Sequence, residues 1–135
     1  MNRTAAQWQQ RLKQPLPGRE AHRQMAPPGR PLDIPPPDSA RQSAVLILMS
    51  RYETPENILF IRRTQDGQVH GGQIGFPGGR VEEQDADLTD TALRECEEEI
   101  GLKREAIEVL GQLSSLYIPP SGFLVTPVLA SWHQE

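Results

Sequence analysis

The stretch GRVEEQDADLTDTALRECEEEIGL, residues Gly79–Leu102, decides how this chain folds. It predicts a helix over Leu88–Ile100, because Asp85 or Asp87 can cap the first turn and Gly101 can end the helix in the left-handed conformation. At 100° per residue, one side of this helix is apolar and is expected to face the core. The residues of this apolar side are Ala92, Leu93, Cys96 and Ile100.

A cluster of carboxylates lies beside that apolar side. Nine of the 18 acidic residues fall between positions 82 and 99, and Glu95, Glu98 and Glu99 are neighbours on the wheel. Acids three or four residues apart repel by ~0.2–0.5 kcal/mol per pair, and each acid in a helix's last turn costs ~0.3–1 kcal/mol. A solvated acidic face is the simpler interpretation of the helix alone. The repulsion favours a bound cation, and hard oxygen ligands suit Mg²⁺ or Mn²⁺.

Strands are expected before and after the helix, so the fold class is α/β (α+β) with a mixed sheet. The continuous apolar run Ala44–Ser50 is typical of a strand buried on both faces. Tyr52–Asn57 is predicted to be a hairpin turn and Thr64–Gly72 a loop. Pro77-Gly78-Gly79 is predicted to break the chain's extended course. The remaining predicted strands are Ile58–Arg63, Gln73–Phe76, Val109–Tyr117 and Phe123–Trp132.

The 135 residues suffice for one domain, predicted to occupy residues 43–135. Residues 1–42 carry a local charge of +4 and most of the prolines, which predicts a largely flexible arm. A short helix over Thr4–Lys13 would place Trp8 and Leu12 on one face. A solvated linker is favoured over a nucleic-acid contact, because no aromatic residues interleave with the basic ones.

Composition excludes several classes of protein. The longest apolar run, Ala44–Met49, is far shorter than the ~20 residues of a membrane span, and no export signal is visible. The lone Cys96 has no partner for an internal disulfide, which fits the cytoplasm. No membrane or nucleic-acid partner is expected, and the sequence makes no prediction of oligomeric state.

The acidic helix and the loop before it resemble the Nudix box, G-x5-E-x7-R-E-U-x-E-E-x-G-U, where U is apolar. Arg94–Leu102 matches every fixed position of the second half. The first half departs: Gly79 to Arg94 is one residue longer, and Ala86 stands where the first Glu is expected. This lengthening is similar to the coenzyme A diphosphatase branch of the Nudix hydrolases.

A second motif resembles the same branch, whose upstream signature is L-L-T-x-R-S-x3-R-x3-G-x3-F-P-G-G. Leu59–Thr64, Gly72 and Phe76–Gly79 fall in register with it, with Ile61 for the Thr and Gln68 for the second Arg. The segment YIPPSGF, residues 117–123, is also similar to this branch. The two motifs together span about residues 59–102.

The resemblance implies metal-dependent hydrolysis of the diphosphate of coenzyme A or acyl-CoA to 3′,5′-ADP and 4′-phosphopantetheine products. It implies that Glu95 and Glu99 are the main ligands of Mg²⁺ or Mn²⁺, and that Glu98 is a further ligand or the general base. These three glutamates form the implied catalytic set, and the Gly79 carbonyl is a further metal ligand. The implied substrate-binding residues are Arg63, Gly72, Phe76 and Gly78.

Two alternatives stay open. One is a Nudix hydrolase of another nucleoside diphosphate compound, such as ADP-ribose or a dinucleotide; the other is a non-catalytic Nudix-like nucleotide-binding module. The family's domain usually continues past Phe123–Ala130 with another strand and a helix. We therefore expect a chain ending at Glu135 to be C-terminally truncated, with one sheet face lacking its cover.

Overall fold

A computed structural model describes residues 4–50, 57–63 and 72–132. The helices are α1 (Ala5–Leu12), α2 (Arg19–Met25) and α3 (Leu88–Ile100), with a 3-10 turn at Arg104–Ala106. The strands are β1 (Arg41–Met49), β2 (Ile61–Arg62), β3 (Ile74–Gly75), β4 (Gly78–Arg80), β5 (Ile107–Gln112), β6 (Leu116–Ile118) and β7 (Phe123–Trp132). No helix in these ranges is long and apolar enough to cross a membrane.

The strands form a mixed sheet in the order β4-β1-β7-β5, which confirms the predicted fold class. The central strands β1 and β7 are parallel over their whole length. The other pairings are antiparallel: β4 lies along the first half of β1, β6 along the first half of β7 and β5 along the second half of β7. A separate two-stranded sheet joins β2 to β3.

Helix α3 packs on one face of the sheet. Its bounds equal the predicted ones, because the local signals act as expected: the Asp87 side chain accepts from the Asp90 backbone N–H, and Gly101 ends the helix with φ +74°. Ile100 is 40% exposed rather than buried. The buried residues between sheet and helix are Ala44, Leu46, Leu48, Ala92, Cys96, Val128 and Ala130.

Three strand predictions need correction. The strand predicted over Gln73–Phe76 ends before Pro77 as expected, but Gly78 and Gly79 then form the unpredicted strand β4, which pairs with β1 where a larger residue would not fit. Val109–Tyr117 divides into β5 and β6, because pairing with β7 stops after Gln112 and resumes at Leu116; a bulge between Val109 and Gly111 lies within β5. The strand predicted over Ile58–Arg63 is shorter, with Ile58 joined to Met49 by an isolated bridge. Residues 52–56 of the predicted turn and 64–71 of the predicted loop lie outside the described residues.

Helix α1 covers part of the other sheet face. Its Ala5, Trp8 and Leu12 pack against a cluster of Met49, Leu110 and Leu129. The Gln9 side chain donates to the Val109 carbonyl at 3.1 Å, and Thr4 and Gln7 form a reciprocal capping box. Helix α1 lies within the short helix predicted over Thr4–Lys13, and tertiary packing holds a helix that would be too short to be stable alone.

We predict that Leu12→Ala lowers the free energy of unfolding by about 1–2 kcal/mol, less than a fully buried leucine would. The Leu12 side chain lies directly over Gly111, so truncation leaves a gap there. Denaturant unfolding monitored by circular dichroism measures the change. Arg11→Ala, at an exposed position of the same helix, is the control and is expected to change stability by about 0.5 kcal/mol or less. Equal effects of the two substitutions would contradict the packing role of α1.

Candidate active site

The last two turns of α3 meet the backbone of β4, and this contact brings the sequence-predicted glutamates together. The Gly78 N–H donates to Glu99 Oε2 at 3.2 Å. The Glu95 carboxyl lies so close to Gly79 that a side-chain carbon there would collide with it. At Gly78 such a carbon would come within 2.8 Å of the Val45 Cα. Both glycines are therefore required by close approach.

Arg94 holds the loop before the helix against the acidic turn. Its side chain is 11% exposed, and its Nη1 donates to Glu95 at 3.1 Å and to Glu98 at 3.3 Å. Its Nη2 donates to the Arg80 carbonyl at 3.2 Å. The carboxylates around it, Asp85 first, raise the pKa of the guanidinium, so Arg94 stays charged.

Asp85 is the site residue that the motif comparison missed. Its fully buried carboxylate accepts from Arg94 Nε at 2.7 Å and Nη2 at 2.9 Å, and from the Thr91 hydroxyl at 2.9 Å. The hydrogen bond from Arg94 holds the Asp85 pKa well below its usual range. Because the loop is one residue longer than in the motif, this acid lies one position before Ala86, where the first Glu was expected. An aspartate next to the expected position was the signal in the sequence that could have identified it.

The Glu99 carboxyl has the most perturbed environment of the three glutamates. Partial desolvation raises its pKa, and the charges of Glu95 and Glu98 raise it further. The Gly78 N–H and the charge of Arg63 act in the opposite direction. The Glu99 carboxyl therefore experiences the negative charges of Glu95 and Glu98 and the positive charge of Arg63.

The other predicted substrate residues lie on the β2–β3 hairpin. The Gly72 N–H donates to the Arg63 carbonyl at 2.9 Å, and Gly72 adopts φ +82°, so both residues close the described end of the hairpin. Phe76 stacks on Phe60 with ring centroids 5.0 Å apart. Phe60 and Ile74 are 53% and 65% exposed. Gly72 has a structural role in the hairpin, whereas Phe76 belongs to an exposed apolar surface.

Within the described ranges, no three His, Cys, Asp or Glu side chains are grouped as a metal cluster. The reason lies in their partners: Glu95 and Glu98 contact Arg94, and Glu99 contacts the Gly78 N–H. The donor chemistry nevertheless fits a hard divalent cation, because the groups are carboxylates; burial first, and then the neighbouring carboxylate charges, raise the Glu99 pKa. The assignment of these glutamates as metal ligands stays a prediction.

The protein is thus a mixed α/β domain in which the acidic end of α3 contacts the glycine-containing strand β4. This arrangement is suited to chemistry on phosphate anhydrides. A model of the NUDIX domain matches residues 40–131. The chain belongs to the Nudix family, and Nudix hydrolases generally use divalent ions such as Mg²⁺ or Mn²⁺.

Individual relatives agree with this assignment. The chain is 41% identical over 99 residues to a Nudix hydrolase named NudL from Pectobacterium atrosepticum, covering 73% of this chain and 50% of that protein. It is also 41% identical over 104 residues to a NudL from Klebsiella aerogenes, covering 74% and 82%. The chain spans about half the length of most of the curated relatives it matches. A Mycobacterium smegmatis Nudix hydrolase, RenU, shares the fold, with a TM-score of 0.55, 19% identity and coverage of 72% and 64%.

We predict that Asp85→Asn lowers the free energy of unfolding at pH 7 by about 3–5 kcal/mol, because it leaves Arg94 buried without its main partner. The folded-state pKa of Asp85 lies below the ordinary value of 3.8. The contribution of the pair is therefore fully present above that pH and is lost as the pH falls below it. Urea unfolding between pH 3 and 7 measures both effects.

The control for this prediction is Asp33→Asn, an exposed carboxylate that pairs with Arg19 and Arg23. Its loss is expected to cost about 1 kcal/mol or less. A variant Asp85→Asn as stable as Asp33→Asn at pH 7 would contradict the role of the buried pair.

Proposed function

We propose that this chain hydrolyses the diphosphate bond of coenzyme A or acyl-CoA, giving 3′,5′-ADP and 4′-phosphopantetheine products. The observation that carries the proposal is the contact between the β4 backbone and the acidic turn, at Gly78–Glu99 and Gly79–Glu95. The two motifs that resemble the coenzyme A diphosphatase branch meet at this contact, since the upstream motif ends at Gly79. Their juxtaposition supports the finer substrate assignment.

In this proposal Glu95, Glu99 and the Gly79 carbonyl hold Mg²⁺ or Mn²⁺. The bound ion would offset the charge of the diphosphate and lower the pKa of a water molecule. Glu98 takes up the proton of the attacking water. The Glu98 side chain is 57% exposed, so it can pass that proton to solvent. Arg94 orients Glu95 and Glu98 and does not touch the substrate.

The β2–β3 hairpin supports binding of the remainder of the substrate. The charge of Arg63 acts on the Glu99 carboxyl, so it would also attract a phosphate bound there. The apolar surface of Phe60, Ile74 and Phe76 suits the pantetheine end, because exposed aromatic and aliphatic groups gain by covering an apolar chain.

The substrate is proposed to be a small-molecule nucleotide, in the cytoplasm, with no nucleic acid or membrane involved. The location is supported by the lone Cys96, which is buried. Burial, with a further contribution from the charge of Glu99, raises the pKa of this thiol to about 11, so Cys96 is a core residue rather than a nucleophile.

We predict that Glu98→Gln lowers kcat for coenzyme A by about 10²- to 10⁴-fold, because a carboxamide does not accept the proton. Glu99→Gln is expected to lower kcat too, and also to weaken activation by Mg²⁺, because it removes a proposed metal ligand. Product analysis by chromatography, with and without divalent ion, measures turnover, and thermal unfolding shows that the fold is intact.

Glu97→Gln is the matched control, since Glu97 lies in the same turn but pairs with Lys103 at 3.0 Å. It is expected to retain turnover. Unchanged turnover in Glu98→Gln at saturating Mg²⁺ would overturn the assignment of the base. Hydrolysis of ADP-ribose or a dinucleotide in preference to coenzyme A would overturn the substrate, and nucleotide binding without product release would overturn the catalytic function.

A further inference from the structure

An open groove of about 540 Å³ lies beside the ends of β1 and β4 that are nearest the loop before α3. Two arginines line it, Arg41 from β1 and Arg80 from β4. Ser43 pairs with Arg80 across the two strands, and side chains two residues apart on a strand share a face. Arg41 and Arg80 therefore project from the same sheet face, opposite the face that carries α3.

The charges of these two arginines are not neutralised by the carboxylates that the structure describes. In those ranges the basic side chains that contact a carboxylate are Arg19, Arg23, Arg94, Lys103 and Arg104. Arg41 is held by neutral partners instead: it donates to the Ser121 carbonyl at 2.8 Å and lies 4.2 Å from the centre of the Phe123 ring. Its guanidinium is thus held at the β7 side of the groove, and no described carboxylate contacts it.

The acidic residues of the groove leave this charge mostly free. Glu82 turns toward Arg94, 3.6 Å from Nη1, and accepts from the Gln84 side chain at 2.6 Å. Glu83 is the remaining carboxylate among the lining residues. Two guanidiniums therefore face one uncommitted carboxylate, and the groove has a net attraction for anions.

The groove and the candidate active site lie on opposite faces of the sheet but share the edge strand β4. Arg80 follows Gly79 directly, and two residues of strand, about 7 Å, separate it from Gly78. A nucleoside that has its 5′ phosphate at the glycines holds a second phosphate on its ribose at a distance of this order. Coenzyme A carries such a phosphomonoester, whereas ADP-ribose does not.

We propose that Arg41 and Arg80 form a phosphomonoester subsite, which takes the ribose phosphate of coenzyme A. The inference rests on the proposed function and names the feature by which the site would select among nucleoside diphosphate compounds. Guanidinium groups suit this ligand because they donate paired hydrogen bonds to phosphate oxygens.

The test measures binding separately from catalysis. Calorimetric titration compares adenosine 3′,5′-bisphosphate with adenosine 5′-monophosphate, which lacks the second phosphomonoester. The unaltered chain is expected to bind the bisphosphate about tenfold more tightly, and Arg80→Gln to lose most of that difference. Glu83→Gln is expected to change affinity in the opposite direction. Arg30→Gln, on the N-terminal segment, is the matched control and leaves the preference unchanged.

Kinetics then separates this proposal from the proposed function. The ratio of kcat/KM for coenzyme A over dephospho-coenzyme A is expected to fall toward one in Arg80→Gln. Equal affinity of the unaltered chain for the two adenosine nucleotides, or a preference that Arg80→Gln leaves intact, overturns the subsite. A bisphosphate preference that depends on Arg80, in a chain that hydrolyses neither coenzyme, supports the subsite and overturns the proposed function.

Discussion

The Arg94 guanidinium neutralises the most crowded carboxylates of the described chain, and the position of α3 against β4 depends on it. It contacts Asp85, Glu95 and Glu98 at once, and Lys103 pairs separately with Glu97. The repulsion expected for the acidic turn is therefore largely offset by protein cations. Among the described residues, Glu99 is contacted by the Gly78 N–H rather than by a cationic side chain, and burial is the main cause of its raised pKa. The physical case for a metal ion thus rests on Glu99 and its neighbour Glu95 rather than on acid crowding as such.

Local signals made part of this fold predictable. Helix α3 begins and ends where Asp87 and Gly101 indicate, and β7 has the predicted bounds, because capping and continuous apolar character act within a few residues of sequence. The features that were missed depend on distant partners. Strand β4 forms because Gly78 and Gly79 leave room for the close approach of β1 and Glu95. Asp85 is part of the site because the Arg94 side chain, nine residues later, donates to it. From the sequence alone, the two glycines are equally consistent with a turn or a strand, and Asp85 is equally consistent with a helix cap or a buried ion pair.

The N-terminal segment shows the same distinction. Its few apolar residues predict a marginal helix, and α1 forms because β5 and β7 offer a matching surface at Leu110 and Leu129. The family match begins at residue 40, near the boundary predicted at 43, so α1 is an addition to the matched domain. It covers a sheet face that the sequence comparison expected to lack its cover. A helix from before the domain therefore contributes to the core of that domain.

The residues around β4 impose a direction on any substrate of the proposed class. Phe76 stacks on Phe60 two residues before Gly78, and Arg80 follows two residues after it. At Gly78 and Gly79 the chain offers backbone groups to the acidic turn, since side chains there would collide with their neighbours. The reverse orientation would place a phosphate against exposed aromatic rings and leave the guanidiniums against an apolar chain, which costs desolvation of charge without a partner. In the proposed function, the order of apolar, glycine and basic residues from Phe76 to Arg80 would therefore set both where a diphosphate fits and which way its two ends point.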